Sequence, residues 1–257
     1  MVIDWSSLPA WQYIAIALCF VWSGFVRSGL GFGGAALTLP FLLLIFDNPV
    51  VFLPAIAWQL LVISIATVLT RLENVHWVFL LRLLAVLFVP FTAGLFGLFN
   101  FSGFVLSLTV FSVTLLYGVS YVRTSTLNRP KTKINKSLDT LGTIVGGYFS
   151  GVALIGAPII VASSARRLPA HMVRDTFFVL WIVMVIFKLV GFQLADVDLQ
   201  WKLTLWTFPM TLIGHYLGQK VHDQILKTDR SQFEKFIGIG LILVSCFGIS
   251  TLLRTHF

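Results

Sequence analysis

The sequence predicts an all-α polytopic membrane protein with two inverted repeats of about five hydrophobic segments each. Three observations predict this fold class. Of the 257 residues, 58% are hydrophobic and only 11% are charged, whereas a soluble domain carries about 25% charged residues. Apolar stretches of about 17–25 residues, the length of a membrane-spanning helix, recur along the chain. Two glycine-rich breaks occupy corresponding positions of the two halves, as in many secondary transporters.

Ten apolar segments follow one another, five before a basic linker and five after it. They are 10–26, 30–46, 50–70, 76–99, 101–122, 139–150, 152–165, 176–195, 201–219 and 234–253. We therefore expect a first transmembrane repeat over 1–123, a linker over 124–137 and a second repeat over 138–257. An odd number of segments in each half makes the repeats inverted, whereas one non-crossing segment in each half would make them parallel.

The distribution of Lys and Arg predicts the orientation of the segments. The linker region carries five basic residues: Arg123, Arg129, Lys131, Lys133 and Lys136. Because basic loops stay in the cytoplasm, we expect this linker there and both termini outside. The formal charge of +8 is then a consequence of topology and not a sign of nucleic-acid binding. No Lys or Arg precedes Arg27, which disfavours a cleaved signal peptide.

The first glycine break reads Arg27-Ser28-Gly29-Leu30-Gly31-Phe32-Gly33-Gly34 and is followed by Pro40. Each glycine weakens a helix by roughly 1 kcal/mol relative to alanine, and it also permits close approach of other groups to the backbone. In a membrane, freed backbone groups are tolerated only where they are buried in protein or line a polar cavity. The break is therefore either a packing notch or a place where the chain meets a ligand.

The second break reads Ser150-Gly151-Val152-Ala153-Leu154-Ile155-Gly156-Ala157-Pro158. Its Ser150 takes the place of Ser28, while Phe149 stands where the first copy has Arg27. The flanking segments 139–150 and 152–165 are shorter than the roughly 17 residues needed to span. We therefore expect each pair of segments to form a re-entrant or broken hairpin, with the tips Ser28-Gly29 and Ser150-Gly151 meeting near the midplane.

The two motifs, S-G-x-G-x-G-G followed by Pro and S-G-x-x-x-x-G-x-P, resemble those of the TauE/SafE family of membrane transporters, also described as sulfite exporters. The resemblance covers nearly the whole chain, including Arg174 and the turn Arg166-Arg167-Leu168-Pro169-Ala170. The second motif departs from the family pattern, because Ile155 and Ala157 stand where glycines are expected. The resemblance implies a secondary transporter of small sulfur-containing anions, such as sulfite and sulfonates, in a bacterial cytoplasmic (inner) membrane.

Two basic residues within apolar sequence are the leading candidates for anion binding. Arg27 carries a planar guanidinium that matches oxyanions, and its alternative role is a charge at the cytoplasmic surface. Lys188 lies inside segment 176–195, where a charge marks a functional site by default; its alternative is to extend toward the external interface. The full predicted substrate-binding set is Arg27, Ser28, Gly29, Gly31, Gly33, Gly34, Gln59, Ser150, Gly151, Gly156, Pro158 and Lys188.

The polar members of this set also have structural alternatives. The hydroxyl groups of Ser28 and Ser150 could donate to an anion or cap a helix after the break. Gln59 could line the path or form a hydrogen bond between helices. His215 is most simply structural, with a proton relay as its alternative. Gly147-x-x-x-Gly151 and Gly214-x-x-x-Gly218 fit close helix packing, which leaves a homodimer open.

No catalytic triad, paired carboxylate or metal spacing is present, and the acidic residues lie in loops or at segment ends. We therefore expect neither an enzyme nor a cofactor or metal, and no carboxylate proton relay. Gly29-x-Gly31-x-x-Gly34 matches the dinucleotide fingerprint only formally, because that motif requires a soluble βαβ unit.

The predicted function is export of sulfite or short organosulfonates by alternating access around a midplane site. An anion channel and a non-catalytic membrane subunit that needs a partner are the alternatives. The expected partners are the anion substrate and the lipid bilayer.

Overall fold

The computed structural model describes residues 8–30, 34–126, 136–227 and 230–256, and the regular secondary structure within these ranges is entirely helical. The α-helices are α1 Ala10–Leu30, α2 Gly34–Leu43, α3 Pro49–Val68, α4 Trp77–Asn100, α5 Gly103–Thr126, α6 Lys136–Ala153, α7 Ala157–Ser164, α8 Ala170–Leu194, α9 Trp201–Lys227 and α10 Arg230–His256. Short 3-10 turns cover Leu72–Asn74 and Ala165–Arg167. The predicted all-α class is confirmed, with one α-helix for each apolar segment.

Six of the described helices are long and apolar enough to cross a membrane: α1, α3, α4, α5, α8 and α10. The chain is thus an integral membrane protein. Helices α2 and α7 hold only 10 and 8 residues. At 1.5 Å per residue they are about 15 Å and 12 Å long, which is too short for a hydrocarbon core of about 30 Å. Each glycine break therefore lies between one long and one short helix, and we call α1–α2 and α6–α7 the broken pairs.

The predicted positions of the hairpin tips were wrong. Helix α6 begins at Lys136 and continues to Ala153, so it holds 18 residues and not the dozen expected from segment 139–150. Ser150-Gly151 therefore lies in the last turn of α6, and the second break comes at 154–156. Ser28-Gly29 likewise lies in the last turn of α1, which ends at Leu30. Apolar length underestimated α6 because its first turn is polar.

The described helices form two compact units, each drawn from both halves of the sequence. Unit A contains α3, α4, α6, α7 and α8, and unit B contains α1, α2, α5, α10 and most of α9. Within each unit, the broken pair of one half packs against the fourth helix of the other half. The predicted repeats, 1–123 and 138–257, divide the sequence at the linker and are not the same as these two units. That division of the sequence stays a prediction.

In unit A, the backbones of α4 and α6 are in direct contact. A Cβ atom added at Gly94 would overlap the carbonyl oxygen of Tyr148, and one added at Gly151 would overlap the carbonyl oxygen of Phe91. Small residues allow this approach, and dispersion and weak hydrogen bonds then hold the helices together within lipid. The packing role expected of the Gly147-x-x-x-Gly151 pattern is confirmed at Gly151.

In unit B, α1 and α9 pack in the same manner. A Cβ atom at Gly24 would overlap the carbonyl oxygen of Thr211, and one at Gly214 would overlap that of Val21. Glycines on both helices therefore bring the C-terminal half of α1 onto α9. This contact fixes the position of the last turn of α1, which carries Arg27 and Ser28.

The apolar core of unit A lies between α4 and α8. Leu83, Leu87 and Phe91 occupy one face of α4 at helical spacing, and Trp181 and Met184 face them from α8. The spacing of three and four residues keeps this face continuous along α4. One turn beyond Met184 the same face of α8 carries Lys188, so the core places that side chain beside the broken pair.

Candidate anion-binding sites

Lys188 is completely buried, with 0% of its surface exposed. Its Nζ donates a hydrogen bond to the backbone carbonyl of Ser150 at 3.3 Å and another to the carbonyl of Gly151. The rings of Phe91 and Phe192 flank the ammonium, with centroids 6.0 Å and 5.8 Å from Nζ. The alternative that Lys188 extends to the external interface is therefore wrong.

The ammonium of Lys188 stabilises the end of α6. The two acceptor carbonyls belong to the last helical turn, where the helix dipole is negative. The Ser150 carbonyl also accepts a hydrogen bond from the Leu154 amide at 3.0 Å. No described carboxylate lies within ion-pair distance of Lys188, and its described acceptors are these two carbonyls. An ammonium has three N–H donors, and two are used here. A small anion could therefore bind at this position as the counter-charge.

The second break itself is shaped by Leu154, Gly156 and Pro158. Leu154 adopts a left-handed conformation with φ of 57°, which is costly for a residue with a side chain and favours reversal of the chain. A Cβ atom at Gly156 would overlap the carbonyl oxygen of Gly146 and lie 2.5 Å from Ser150 Oγ. Pro158 lies in the first turn of α7, where its missing N–H costs nothing. Gly156 and Pro158 thus build the turn around Ser150.

Ser150 presents a hydroxyl group beside this turn. The residue is buried, and no described residue forms a hydrogen bond with its Oγ. A buried polar group without a partner costs free energy, about 1–3 kcal/mol in proteins. A ligand that accepts a hydrogen bond from Ser150 would recover this cost. Ser150 and Lys188 therefore lie at the same break, one as a hydroxyl donor and the other as a cation.

Arg27 lies in the last turn of α1 with only 3% of its surface exposed. Gly34, the first residue of α2, is packed against it, because a Cβ atom there would lie 3.2 Å from both Cβ and Nε of Arg27. Trp22 Nε1 donates a hydrogen bond to the carbonyl of Leu37 at 3.0 Å, which holds α2 beside α1. Burial of the guanidinium between these helices favours the site interpretation over a surface charge.

Ser28 is hydrogen-bonded to His215 of α9, through Oγ and Nδ1, and His215 Nε2 lies 2.9 Å from the Gln219 side-chain amide. Where the Gln219 amide nitrogen donates to Nε2, the neutral imidazole carries its proton on Nδ1 and donates it to Ser28 Oγ. In this tautomer the Ser28 hydroxyl proton is available to a ligand. The first break therefore also combines a cation, Arg27, with a hydroxyl donor.

The expectation that no Asp or Glu is buried was wrong, although both buried examples lie near helix ends. Asp139, in the first turn of α6, is buried and pairs with Arg166 at 2.9 Å and Arg167 at 3.5 Å. Asp175, near the start of α8, is also buried, and its Oδ1 has no hydrogen-bond partner among the described residues. The argument against a carboxylate relay rested on the absence of such groups, so it no longer holds.

The structure brings the predicted residues together in two groups, one in each unit. Unit A holds Ser150, Gly151, Gly156, Pro158 and Lys188, and unit B holds Arg27, Ser28, Gly29 and Gly34. Gly31 and Gly33 lie outside the described residues. Gln59 is fully buried in α3 of unit A, and its place on an anion path stays a prediction.

Some contacts at these sites could not be found from motifs alone. The sequence shows His215 near Gly214 and Gly218, but nothing local pairs it with Ser28. The aromatic rings beside Lys188 are Phe91 of α4 and Phe192 of α8. Only Phe192 could be expected from the sequence, because it follows Lys188 by four residues, one helical turn. The ion pair between Asp139 and Arg166 joins the first turn of α6 to the turn after α7. Each contact depends on how separate helices pack.

The fold and the two groups define a polytopic integral membrane protein with broken helices and a buried cation beside each break. The family description Sulfite exporter TauE/SafE matches residues 16–247, and the chain belongs to that family. The resemblance seen in the glycine motifs is thus confirmed, and with it the class of membrane transporter. Comparisons with curated proteins and with solved structures found no match.

Proposed function

We propose that this protein is a secondary transporter that exports small sulfur-containing anions, sulfite or short organosulfonates, by alternating access around a midplane site. The observation that carries the proposal is Lys188, a fully buried cation that is hydrogen-bonded to the broken helix α6 and has no carboxylate partner among the described residues. Family membership supports the choice of sulfur-containing anions.

The chemistry of both groups suits an oxyanion better than a cation. Lys188 and Arg27 supply positive charge, and Ser150 and Ser28 supply hydroxyl groups, while glycines allow the close packing that brings these groups beside each break. Charge-assisted hydrogen bonds are strong where water is excluded. A transported anion would exchange its hydration for these donors, and it would also neutralise a cation that is costly to bury in a membrane.

The packing of the two units supports inverted repeats. In unit A the broken pair α6–α7 belongs to the second half of the chain and packs on α4 of the first half. In unit B the broken pair α1–α2 belongs to the first half and packs on α9 of the second. In each unit, a broken helix pair from one half of the chain thus packs on a helix from the other half. Transporters with alternating access are commonly built from two such related units. We place this transporter in a bacterial inner membrane, with both termini outside.

Counterflow in proteoliposomes tests the proposal. Vesicles loaded with unlabelled sulfite are offered labelled sulfite, and the experiment is repeated with a short sulfonate and with sulfate. We expect transient accumulation of label that saturates with concentration and depends on the unlabelled anion inside. Flux without saturation or counterflow would indicate a channel instead. If folded protein carries none of these anions, the proposed function is wrong, and a subunit that needs a partner becomes the better explanation.

A further inference from the structure

A cavity of about 370 Å³ lies in unit A between the start of α4, the start of α6 and the turn after α7. This volume falls within the range of about 300–1,000 Å³ that is typical of small-molecule sites. The cavity is separate from Lys188 and the second glycine break. Its polar lining comes from His76, Arg82, Thr140, Thr143, Ser164 and Arg167. None of these residues belongs to the proposed transport site.

The cavity carries net positive charge. Arg82 and Arg167 both line it, and Arg166 lies beside Arg167. Asp139 forms ion pairs with both Arg166 and Arg167. Arg82 forms no ion pair with any residue that the structure describes. Arg82 and Arg167 therefore bring two positive charges to the cavity wall, while Asp139 is shared with Arg166, and a ligand with a negative charge would complete the balance.

The donors of this cavity suit a phosphate group. Arg82 and Arg167 each offer a planar fork that can bind two phosphate oxygens. His76 is the N-cap of α4, and its Nδ1 accepts a hydrogen bond from the Phe79 amide at 3.3 Å. A neutral His76 therefore carries its proton on Nε2, which is a further donor. The hydroxyl groups of Thr140 and Thr143 donate to carbonyls of their own helix, so their oxygens remain as acceptors for a hydroxyl-bearing headgroup.

The position of Arg82 matches the depth of lipid headgroups. Trp77, the exposed first residue of α4, marks a membrane–water interface by its residue type. Arg82 lies five residues further along, about 7–8 Å at 1.5 Å per residue. The interfacial layer is of similar thickness, since about 30 Å of hydrocarbon lies within a bilayer of about 40–45 Å. Arg82 therefore lies near the hydrocarbon boundary, and its long side chain can extend back to phosphate groups of the adjacent leaflet.

The rim of the cavity is apolar and faces outward. Val78 and Val86 line it one helical turn on either side of Arg82, and both are exposed. On α6, exposed Leu141 and Ile144 follow Thr140 along the helix. A soluble anion gains nothing from such a rim, whereas the acyl chains of a phospholipid would lie along it. We propose that this cavity binds the headgroup of an anionic phospholipid from the leaflet at the linker end of α6.

Lipid retention by the purified full-length protein tests the proposal. Native mass spectrometry and thermal unfolding are measured with phosphatidylglycerol and with phosphatidylcholine of identical acyl chains, and with inorganic phosphate or sulfite alone. We expect phosphatidylglycerol to remain bound and to raise the unfolding temperature above that in phosphatidylcholine. Arg82→Gln should weaken this binding by at least about tenfold, as expected for loss of a charge-assisted hydrogen bond. Lys202→Gln, which removes an exposed charge from the start of α9, should leave it unchanged.

A second pair of variants protects the test against misfolding of Arg82→Gln. Thr140 is exposed in the first part of α6, so both Thr140→Glu and Thr140→Gln should fold. Thr140→Glu adds a negative charge to the cavity lining and should abolish the preference for phosphatidylglycerol, whereas the uncharged Thr140→Gln, of similar size, should reduce the preference only in part. Three outcomes would overturn the proposal. The wild-type protein could retain both lipids equally, Arg82→Gln and Lys202→Gln could lose binding equally, or free phosphate could fully replace phosphatidylglycerol. Lipid retention is measured without anion flux, so its outcome is independent of the proposed function.

Discussion

The Nζ of Lys188 lies 3.3 Å from the carbonyl oxygen of Ser150, and the same ammonium donates to the carbonyl of Gly151. A side chain from α8 thus closes the last turn of α6, directly before the chain breaks. The contact does two things at once. It provides donors for helix carbonyls, and it places a positive charge where an anion could bind. Substitution can separate these two effects.

Lys188→Gln keeps an amide donor for the carbonyls but removes the charge. We expect sulfite counterflow to fall by at least about tenfold, since hydrogen bonds to charged groups contribute about 1.5–3 kcal/mol. The unfolding temperature should change much less than in Lys188→Met, which removes the donor as well. Initial rates in proteoliposomes and thermal unfolding of the same preparations measure both. A wild-type rate in Lys188→Gln would show that Lys188 only caps the end of α6 and does not bind the anion.

Arg27→Ala should also abolish anion counterflow, because Arg27 is the buried cation beside the first break. Arg27→Lys keeps the charge but lacks the planar fork, so it should retain only part of the rate. Arg254→Ala is the matched control, since Arg254 is exposed in the last turn of α10. Similar losses in Arg27→Ala and Arg254→Ala would show a general effect of charge on the preparation.

Gly151→Ala should destabilise the protein by roughly 1–3 kcal/mol, the usual cost of overpacking. Its added methyl group would overlap the Phe91 carbonyl on α4. Gly240→Ala, in α10, meets nothing within 4 Å, and it should be neutral or stabilising by up to about 1 kcal/mol through helix propensity. Thermal unfolding in detergent compares the two variants. Equal stability would mean that α4 and α6 can separate at no cost.

Ser28→Ala and His215→Phe should act through the same hydrogen bond. We expect each to reduce the counterflow rate, and the double variant to be little slower than Ser28→Ala, because His215 orients the Ser28 hydroxyl. Residues in direct contact typically show coupling of about 0.5–3 kcal/mol in a double-mutant cycle. Strictly multiplicative losses of rate would show that the two side chains act independently.

Asp139→Asn should weaken the link between α6 and the turn after α7. The arginine partners are more than one-third exposed, so solvent screening limits the loss to about 1 kcal/mol. For a chain of this size that corresponds to roughly 2–4 °C in unfolding temperature. Asp47→Asn, an exposed loop substitution, serves as the control. An unchanged unfolding temperature in Asp139→Asn would show that the ion pairs contribute nothing to stability.

Much of the fold could be predicted because hydrophobicity and glycine content are local properties. Each apolar segment became a helix, since a chain in lipid satisfies its backbone polar groups most simply within one helix. The boundaries of α6 were missed because its first turn, including Lys136 and Asp139, is polar. The position of Lys188 in an apolar segment was evident, but its burial was not, because the same sequence permits a side chain that reaches the interface.

The sequence by itself determined the membrane class, the number of helices, the two breaks and the residues with the charge to bind an anion. The tertiary structure alone decided that Lys188 contacts the end of α6, that Ser28 contacts His215 and that Asp139 contacts two arginines. These pairs are distant in sequence, and their formation depends on which faces of the helices meet. In lipid, that choice follows from shape, since glycines determine where two backbones can approach.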